Sequence, residues 1–431
     1  MNFYSLHKNA PVVSFKDAVI NGIAPDKGLY FPESIPPLPS SFFDGMEDMS
    51  NTDIAFTAIR PFVTEDVPDT VLRPILENVL DFDFPVVPIE QQIGTLELFH
   101  GPTMAFKDVG ARFMAQCLGY FSRDTKNEVT VLVATSGDTG GAVANGFLGV
   151  DGVRVVILYP EGKVSDIQER QLTTLGQNIT ALRVKGTFDD CQRMVKTAFL
   201  DEELTENKQL TSANSINVAR WLPQMFYFLL AYKQCKKEGK DLVFSVPSGN
   251  FGNICAGLVA QRMGLPVKHF VAATNINDTV PKFMQNQLYD PKPSTATISN
   301  AMDVGDPSNF IRIRHLYNDD FPELESQLSS YAFTDAETKE AMLNIYATTG
   351  YVADPHGAVG YLGLKKYLAA YPKAYGIFLE TAHPVKFLDV VEDTIGKKVA
   401  LPPQIEKVMN KEKRYLTIEN YTELKEYLLQ S

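Results

Sequence analysis

Short apolar runs alternate with helix-like stretches along most of the chain, beginning at about residue 91. In each unit a run rich in Val, Ile, Leu and Phe is followed by a loop and then by apolar positions at helical spacing. Runs that are apolar at nearly every position predict strands buried on both faces, as in a parallel sheet covered by helices. The pattern therefore predicts the α/β fold class. The predicted strands are residues 129–134, 153–159, 179–186, 241–246, 269–275 and 375–381.

The two ends of the chain depart from this alternation. Residues 1–90 contain a helix-like run and a Pro-rich connector, and we assign no chemistry to them. They predict an N-terminal domain that precedes a core of residues 91–395. Residues 396–431 predict a charged tail that ends in a helix. A chain of 431 residues is too long for one compact core, so two or three domains are expected.

The amino-acid composition and net charge argue against several classes of function. The chain is 45% hydrophobic and 21% charged, which is typical of a soluble globular protein. A net charge of −12 without a long basic run argues against a nucleic acid or an anionic membrane as partner. No apolar stretch approaches the ~18 residues of a membrane span, and the N-terminus lacks a signal-peptide pattern. We therefore expect a cytoplasmic protein. The cysteines and histidines are scattered, so neither a disulfide framework nor a metal site is predicted.

Two loops rich in glycine share one design. The first glycine loop, TSGDTGG at residues 135–141, and the second glycine loop, PSGNFGN at residues 247–253, each follow a predicted buried strand and open a helix. Glycine lets the backbone approach a ligand closely, and a helix N-terminus offers free N–H groups to an anion. Each loop alone could equally be an ordinary tight turn, but two of them favour anion binding. Neither is a P-loop or a dinucleotide fingerprint.

Lys107 lies in the segment ELFHGPTMAFKDVGARF, directly after an apolar shoulder of Met104, Ala105 and Phe106. One interpretation is a surface lysine whose stem covers apolar residues while its amine stays in water. The other is a desolvated amine, which loses its proton more easily and attacks carbonyl carbons. A nucleophilic lysine with two anion-binding loops suits pyridoxal phosphate. The amine takes the aldehyde, one loop takes the phosphate, and the other takes a substrate carboxylate.

Two further segments carry candidate residues. SANSINVARW places Ser215, Asn217 and Arg220 close together, and an arginine fork grips phosphate or carboxylate well. The alternative for Arg220 is a solvated arginine at a helix start. Thr381 follows the last predicted strand, in FLETAHPVKF, where the alternative is a helix N-cap.

Eight segments together resemble the threonine synthase family, whose members are pyridoxal-phosphate enzymes of the tryptophan-synthase-β-like fold, fold type II. The resemblance extends over nearly the whole chain and implies two parallel-sheet-centred α/β units in the core, the smaller at about 122–228 and the larger from the remainder. The matching segments are GLYFPE (28–33), LFHGPTMAFKD (98–108), ATSGDTGGAV (134–143), SANSIN (212–217), SVPSGNFGN (245–253), AATNINDTVP (272–281), SNAMDVGDPSN (299–309) and TAHPVKF (381–387).

The resemblance also implies roles for individual residues. Lys107 would form the Schiff base with the cofactor, and Thr381 would hydrogen-bond the pyridine nitrogen. The cofactor phosphate would bind to the backbone of Gly249, Asn250, Phe251 and Gly252. The substrate carboxylate would bind Thr135, Ser136, Asp138 and Thr139, and the substrate phosphate would bind Ser215, Arg220 and Asn253.

Asp138 departs from the wider fold, where many members carry Asn at this place. Because a carboxylate cannot donate a hydrogen bond to the cofactor's phenolate, Asp138 does not match the role that Asn has in the wider fold. An interaction with the backbone of its own loop is the alternative.

The reaction implied by the resemblance is that of a carbon–oxygen lyase acting on phosphate, which converts O-phospho-L-homoserine and water to L-threonine and phosphate. Its partner is this small-molecule substrate, and we expect a monomer or a homodimer. Two alternatives on the same fold are a serine/threonine dehydratase and a phospho-lyase that stops at a keto acid. A third is an amino-acid-binding module that lacks activity, against which Lys107 argues.

Overall fold

The computed structural model describes residues 1–123 and 128–430. Residues 124–127, at the start of the predicted smaller unit, and residue 431 lie outside the described residues. The strands are β1 (Phe3–Ser5), β2 (Tyr30–Pro32), β3 (Val86–Glu90), β4 (Ile93–Glu97), β5 (Val129–Ala134), β6 (Val153–Pro160), β7 (Ile179–Val184), β8 (Gln209–Ser212), β9 (Leu242–Pro247), β10 (His269–Thr274), β11 (Leu328–Ala332), β12 (Tyr375–Glu380) and β13 (Leu416–Ile418).

Helices separate most of these strands. They are α1 (Phe15–Asn21), α2 (Ser40–Asp44), α3 (Asn51–Val63), α4 (Asp69–Val79), α5 (Lys107–Ser122), α6 (Asp138–Gly146), α7 (Asp166–Thr173), α8 (Phe188–Ala198), α9 (Glu202–Asn207), α10 (Val218–Trp221), α11 (Met225–Cys235), α12 (Gly252–Arg262), α13 (Thr279–Asn286), α14 (Phe310–Leu316), α15 (Phe321–Gln327), α16 (Asp335–Thr349), α17 (Pro355–Ala370), α18 (Leu388–Ile395), α19 (Pro403–Met409) and α20 (Tyr421–Gln430). Short 3-10 segments occur at Met46–Asp48, Leu222–Gln224, Lys236–Glu238, Asn300–Met302 and Pro384–Phe387.

Two sheets organise the chain. The larger has the strand order β11-β10-β9-β12-β4-β3, and all its pairs are parallel except β3 with β4. The smaller has the order β13-β7-β6-β5-β8 and is parallel throughout. The predicted α/β class with two parallel sheets is confirmed. A separate antiparallel pair, β1 with β2, lies in the N-terminal region.

The six predicted strands are present as β5, β6, β7, β9, β10 and β12, with ends that differ by two residues at most. Five of them are buried along all or nearly all of their length, which is why their sequences are almost wholly apolar. The C-terminal segment holds more than the predicted tail and helix. Its strand β13 extends the smaller sheet beside β7, and α20 follows it.

The N-terminal region packs into the main core and does not stand apart from it. Phe31 stacks on Trp221 of α10 with ring centroids 6.1 Å apart. Arg312, fully buried, donates to the carbonyl oxygens of Tyr30 at 2.9 Å and of Ile216 at 2.6 Å. These contacts connect residues 1–90 to the segment that carries Ser215 and Arg220.

The positions of the two glycine loops and of Thr381 follow from the geometry of the parallel sheets. Parallel strands present their carboxyl ends at one edge, where loops and helix N-termini meet. The first glycine loop follows β5 and leads into α6, and the second follows β9 and leads into α12. Thr381 comes directly after β12, the neighbour of β9 in the larger sheet. Within the described residues, no helix is both long and apolar enough to cross a membrane.

Candidate active site

Lys107 is the first residue of α5, and the backbone before it is fastened to the end of β12. The Phe106 N–H donates to the Thr381 carbonyl oxygen at 2.8 Å, and Ala105 bridges Ala382. The Tyr227 hydroxyl donates to the Phe106 carbonyl oxygen. These contacts place the two predicted cofactor residues, Lys107 and Thr381, on adjoining segments.

The Lys107 amine has lost much of its basicity. Its pKa is lowered from 10.5 to about 8, chiefly by burial; Asp138 opposes this shift, and the positive charges of Arg220 and Lys386 add to it. Its Nζ lies 5.5 Å from the centroid of the Phe106 ring. With this pKa about one molecule in ten carries a neutral amine at pH 7. The lowered pKa supports the desolvated-amine interpretation of Lys107 over the surface-lysine interpretation, while the side chain as a whole is partly exposed.

The second glycine loop leaves a row of backbone donors unused. Among the described residues, the N–H groups of residues 249–253 have no hydrogen-bond acceptor. Phe251 adopts a left-handed conformation with φ of 61°, which turns the chain into α12. A side chain at Gly249 would come within 2.9 Å of the Ala301 carbonyl oxygen. Free N–H groups at a helix start are a binding site for phosphate.

The first glycine loop is shaped by its own threonine. Thr135 Oγ1 accepts hydrogen bonds from the N–H groups of Gly137 at 2.9 Å and Gly140 at 2.8 Å. In the described part of the chain, the N–H groups of Ser136, Asp138 and Thr139 have no acceptor. The Thr135 side chain therefore organises the loop, while three N–H groups are available to an anion such as a carboxylate.

Asp138 makes a buried ion pair that the sequence did not indicate. Its Oδ1 lies 2.6 Å from Lys386 Nζ and accepts from the Gln168 amide at 3.0 Å. Burial would raise the pKa of this carboxyl, but Lys386 and Lys107 hold it well below its usual range. The alternative role considered for Asp138, binding the backbone of its own loop, is not what the side chain does. Lys386 lies in TAHPVKF between Val385 and Phe387, so the apolar shoulder that singled out Lys107 was present here too.

Ser215 and Asn253 lie at the second glycine loop. The Asn250 amide donates to Ser215 Oγ at 2.9 Å, which joins the SANSIN segment to this loop. Asn253 directs its amide inward and donates to the Pro247 carbonyl oxygen at 2.9 Å. Asn217, which received no ligand role, caps α10 by accepting from the Ala219 N–H.

Arg220 is buried, so the solvated-arginine alternative is wrong. Its Nη1 donates to the Ala213 carbonyl oxygen, and its buried Nε has no partner among the described residues. Burial lowers its pKa to about 10, against the opposing effects of Tyr227 and Asp108. A buried guanidinium with an unused N–H is available for an anionic ligand.

Thr381 does not cap the helix that follows it. His383 caps the 3-10 segment Pro384–Phe387 by accepting a hydrogen bond from the Val385 N–H. The Thr381 side chain is largely buried, and its hydroxyl makes no hydrogen bond within the described residues. The N-cap alternative is therefore wrong, and the hydroxyl remains available.

A buried acidic cluster beneath the end of β12 also escaped the sequence analysis. Glu380 adjoins Asp354, and burial together with the Asp354 charge raises the pKa of Glu380 well above its usual value. His356 Nδ1 lies 2.6 Å from Asp354 Oδ1, while its Nε2 accepts from the Ala301 N–H. A second negative charge beside the Asp354 carboxylate is disfavoured, so burial and this charge favour the protonated form of Glu380. Separation by 26 residues left no sequence signal for this pair.

The chemical groups that line the site indicate which kind of cofactor it could hold. No group of three metal-ligating side chains occurs within residues 1–123 and 128–430. A partly exposed amine of lowered pKa, a row of unused N–H groups and an unpaired hydroxyl at a strand end fit the aldehyde, phosphate and ring nitrogen of pyridoxal phosphate.

Family models match three successive parts of the chain. Residues 94–377 match the pyridoxal-phosphate dependent enzyme family, residues 2–79 the threonine synthase N terminus, and residues 357–428 the threonine synthase C-terminal family. The threonine synthase of Escherichia coli is 44% identical over 94% of this chain and 94% of its own length. That of Haemophilus influenzae is 43% identical over the full length of both chains.

Solved structures agree with the sequence relatives. The Escherichia coli threonine synthase structure matches with a TM-score of 0.94 at 41% identity and full coverage of both chains. The pyridoxal-phosphate-bound threonine synthase of Brucella melitensis matches with a TM-score of 0.93 at 32% identity, over 100% of this chain and 99% of the other. Maize serine racemase, at 16% identity and a TM-score of 0.52 over 78% of this chain and 94% of its own, shares the fold alone. The chain belongs to the threonine synthase family and uses pyridoxal phosphate as its cofactor.

Proposed function

We propose that this chain converts O-phospho-L-homoserine and water to L-threonine and phosphate, the last step of threonine biosynthesis. The observation that carries the proposal is the position of Lys107, whose pKa of about 8 reflects burial beside Asp138, Arg220 and Lys386. Two loops with unused N–H groups complete the site. A substrate with a carboxylate at one end and a phosphate at the other needs two anion-binding places besides that of the cofactor.

The cofactor would be held by residues on three segments. The N–H groups of the second glycine loop, at Gly249, Asn250, Phe251 and Gly252, would bind its phosphate. The Thr381 hydroxyl would hydrogen-bond the ring nitrogen, and Lys107 would bond to the aldehyde carbon. When bound, pyridoxal phosphate supplies a conjugated ring that spreads the negative charge left at the substrate α-carbon. A neutral hydroxyl at the ring nitrogen favours elimination and replacement over transamination.

The substrate would be held at both ends. The N–H groups of Ser136, Asp138 and Thr139, in a loop organised by Thr135, would bind the carboxylate. Ser215, Arg220 and Asn253 would bind the phosphate, and the unused Nε of the buried Arg220 supports this assignment. Since the Asn253 amide already donates to Pro247, its contribution requires the side chain to turn or the backbone N–H to donate.

Lys107 would act as the base once the substrate amine has displaced it. Its amine would take the α-proton and then a β-proton, after which phosphate leaves from the γ-carbon. Water would then add its oxygen to the β-carbon, and protons would return to the α- and γ-carbons. Holding both ends of the substrate keeps it in place for the addition of water, which separates a synthase from a lyase that releases a keto acid.

The decisive experiment is product analysis of the full-length holoenzyme supplied with O-phospho-L-homoserine. We expect L-threonine and phosphate in equal amounts, with 2-oxobutyrate as a minor product at most. Predominant 2-oxobutyrate would support the phospho-lyase alternative. L-threonine and L-serine offered as substrates test the dehydratase alternative, and rapid formation of keto acids from them would contradict the proposal.

Three further properties stay predictions. We propose a cytoplasmic enzyme that acts as a monomer or a homodimer. We also propose that it does not bind nucleic acid, which the net charge of −12 supports. We also keep the division into residues 1–90, 91–395 and 396–431. The antiparallel pairing of β3 with β4 places the first boundary inside one hairpin.

A further inference from the structure

Lys386 and Asp138 form an ion pair that is enclosed on all sides. The Lys386 ammonium is almost completely buried, donates to the Thr103 carbonyl oxygen at 3.0 Å and lies 2.6 Å from Asp138 Oδ1. Asp138 itself is buried and accepts from the Gln168 amide. A buried carboxylate is stable only with a partner, so losing Lys386 would leave Asp138 in need of another cation.

Lys107 is a second cation that interacts electrostatically with Asp138. Asp138 is the strongest influence that raises the pKa of Lys107, while Lys386 lowers it. Among the described residues, the other charged or titratable groups near Lys107 do not offer its ammonium a free carboxylate. They are Asp108 on its own helix, bound by Thr103; Arg220 from α10; and Tyr227 from α11, whose hydroxyl donates to Phe106.

An ion pair between Asp138 and Lys107 would oppose the chemistry proposed for Lys107. It would stabilise the ammonium form, which has no free electron pair with which to attack a carbonyl carbon or remove a proton. In the structure the Asp138 carboxylate is paired with Lys386.

We propose that Lys386 is a positioning residue that occupies the Asp138 carboxylate, so that Asp138 does not pair with Lys107 and the Lys107 amine stays available. The inference rests on the proposed role of Lys107. Its test measures the amine directly and does not depend on which product the enzyme forms, so the two proposals fail separately.

The test is the pH dependence of Lys107 labelling in the full-length protein freed of its cofactor. Fluorodinitrobenzene reacts with an amine only in its neutral form, and mass spectrometry of the Lys107 peptide gives the labelled fraction at each pH. We expect a midpoint near pH 8 for the unmodified chain. In Lys386→Met we expect the midpoint to rise by about 1 to 3 units, the usual effect of a nearby opposite charge.

A double-variant comparison separates the two ways in which Lys386 could act. If it acts by occupying Asp138, removing it from Asp138→Asn changes the midpoint much less than removing it from the unmodified chain. Equal shifts in both backgrounds would mean that Lys386 only repels Lys107 directly, which overturns the proposal. An unchanged midpoint in Lys386→Met would also overturn it.

Two controls complete the design. Lys386→Arg keeps a cation for Asp138 and should keep the midpoint of the unmodified chain. Lys365→Met removes an exposed lysine of α17 that pairs with Glu90 at 3.0 Å, and it should change nothing at Lys107. If circular dichroism shows that Lys386→Met does not fold, Lys386→Gln carries the same prediction, because it removes the charge and keeps a hydrogen-bond donor.

Discussion

The two glycine loops occupy equivalent places, each between a buried parallel strand and a helix, yet they differ in the charge of their side chains. The second loop has only neutral side chains, and its row of N–H groups faces no carboxylate of its own. The first carries Asp138, whose charge Lys386 offsets across the site. The loop without an internal anion suits a doubly charged phosphate. The loop with a neutralised anion suits a singly charged carboxylate.

The rigidity of the two loops has different origins as well. Asn250 ties the second loop to two neighbouring segments, donating to Ser215 and accepting from the Ser308 N–H at 2.6 Å. The first loop is held from within by Thr135. The second loop therefore depends on distant parts of the chain, whereas the first depends chiefly on its own residues and on Gln168.

The largest effect should come from replacing Lys107. Lys107→Ala should lose the violet absorbance of the bound cofactor and lower turnover by roughly 10³-fold or more, because both the covalent bond and the base disappear. Absorbance and product formation are measured on the same sample, with circular dichroism as the folding control. Retention of the violet band by a folded variant would show that another lysine bonds the cofactor.

Replacing one glycine of each loop by alanine should affect different ligands. In the second loop we expect the cofactor to be affected, and in the first the substrate. Gly249→Ala should weaken cofactor affinity by about tenfold or more, since its Cβ would come within 2.9 Å of backbone at Ala301 and Met302. Gly137→Ala should mainly raise the substrate KM, because its φ is 137° and its Cβ would lie 2.4 Å from the Gln168 side chain.

Cofactor titration and steady-state kinetics measure the two effects separately. Gly162→Ala is the matched control, because this glycine has φ of 67° but an added Cβ there would meet nothing within 4 Å. If Gly137→Ala and Gly249→Ala lost cofactor and substrate affinity in the same proportion, the division of labour between the loops would be wrong.

Arg220→Ala should weaken the use of O-phospho-L-homoserine by about ten- to a hundredfold while changing cofactor affinity much less. A charge-assisted contact to phosphate is worth about 1.5–3 kcal/mol. Arg60→Ala, which removes an exposed arginine paired with Asp69, serves as the control. An equal loss of cofactor affinity in Arg220→Ala would assign the guanidinium to the cofactor phosphate.

The smallest effect is expected for Ser215→Ala, which removes the acceptor of the Asn250 amide. We expect the substrate KM to rise less than about tenfold, in line with ~0.5–1.5 kcal/mol for one hydrogen bond. Titration with the cofactor measures whether Ser215→Ala also loses cofactor affinity. A larger loss of cofactor affinity than of substrate affinity would make Ser215 a support of the second glycine loop and not a substrate ligand.

The strands that sequence analysis found and those it missed differ in position. The central strands β5, β6, β9, β10 and β12 are almost wholly buried, so their apolar runs were visible. In the two larger sheets, the strands that were missed are the four edge strands, β3, β8, β11 and β13, and the interior strand β4, whose apolar run is interrupted by Gly94 and Thr95. Because an edge strand is partly exposed, it tolerates polar residues, and its pairing is decided by its neighbour in space.

The candidate residues show the same division. Lys107, both glycine loops and Thr381 were visible because glycine, a strand end and an apolar shoulder are local signals. The pairing of Asp138 with Lys386 joins residues far apart in the chain, as does that of Asp354 with Glu380. Such contacts depend on which strand ends meet, and no local pattern records that.

By itself the sequence determined the α/β class, the central strands, the two glycine loops and the candidate lysine. These follow from periodicity and from the backbone freedom of glycine, both of which act over a few residues. Only the tertiary structure decided how charges are shared at the site. Burial and the approach of distant side chains set the pKa of Lys107 and gave Asp138 its partner, because desolvation and Coulombic energies depend on three-dimensional distance and not on separation along the chain.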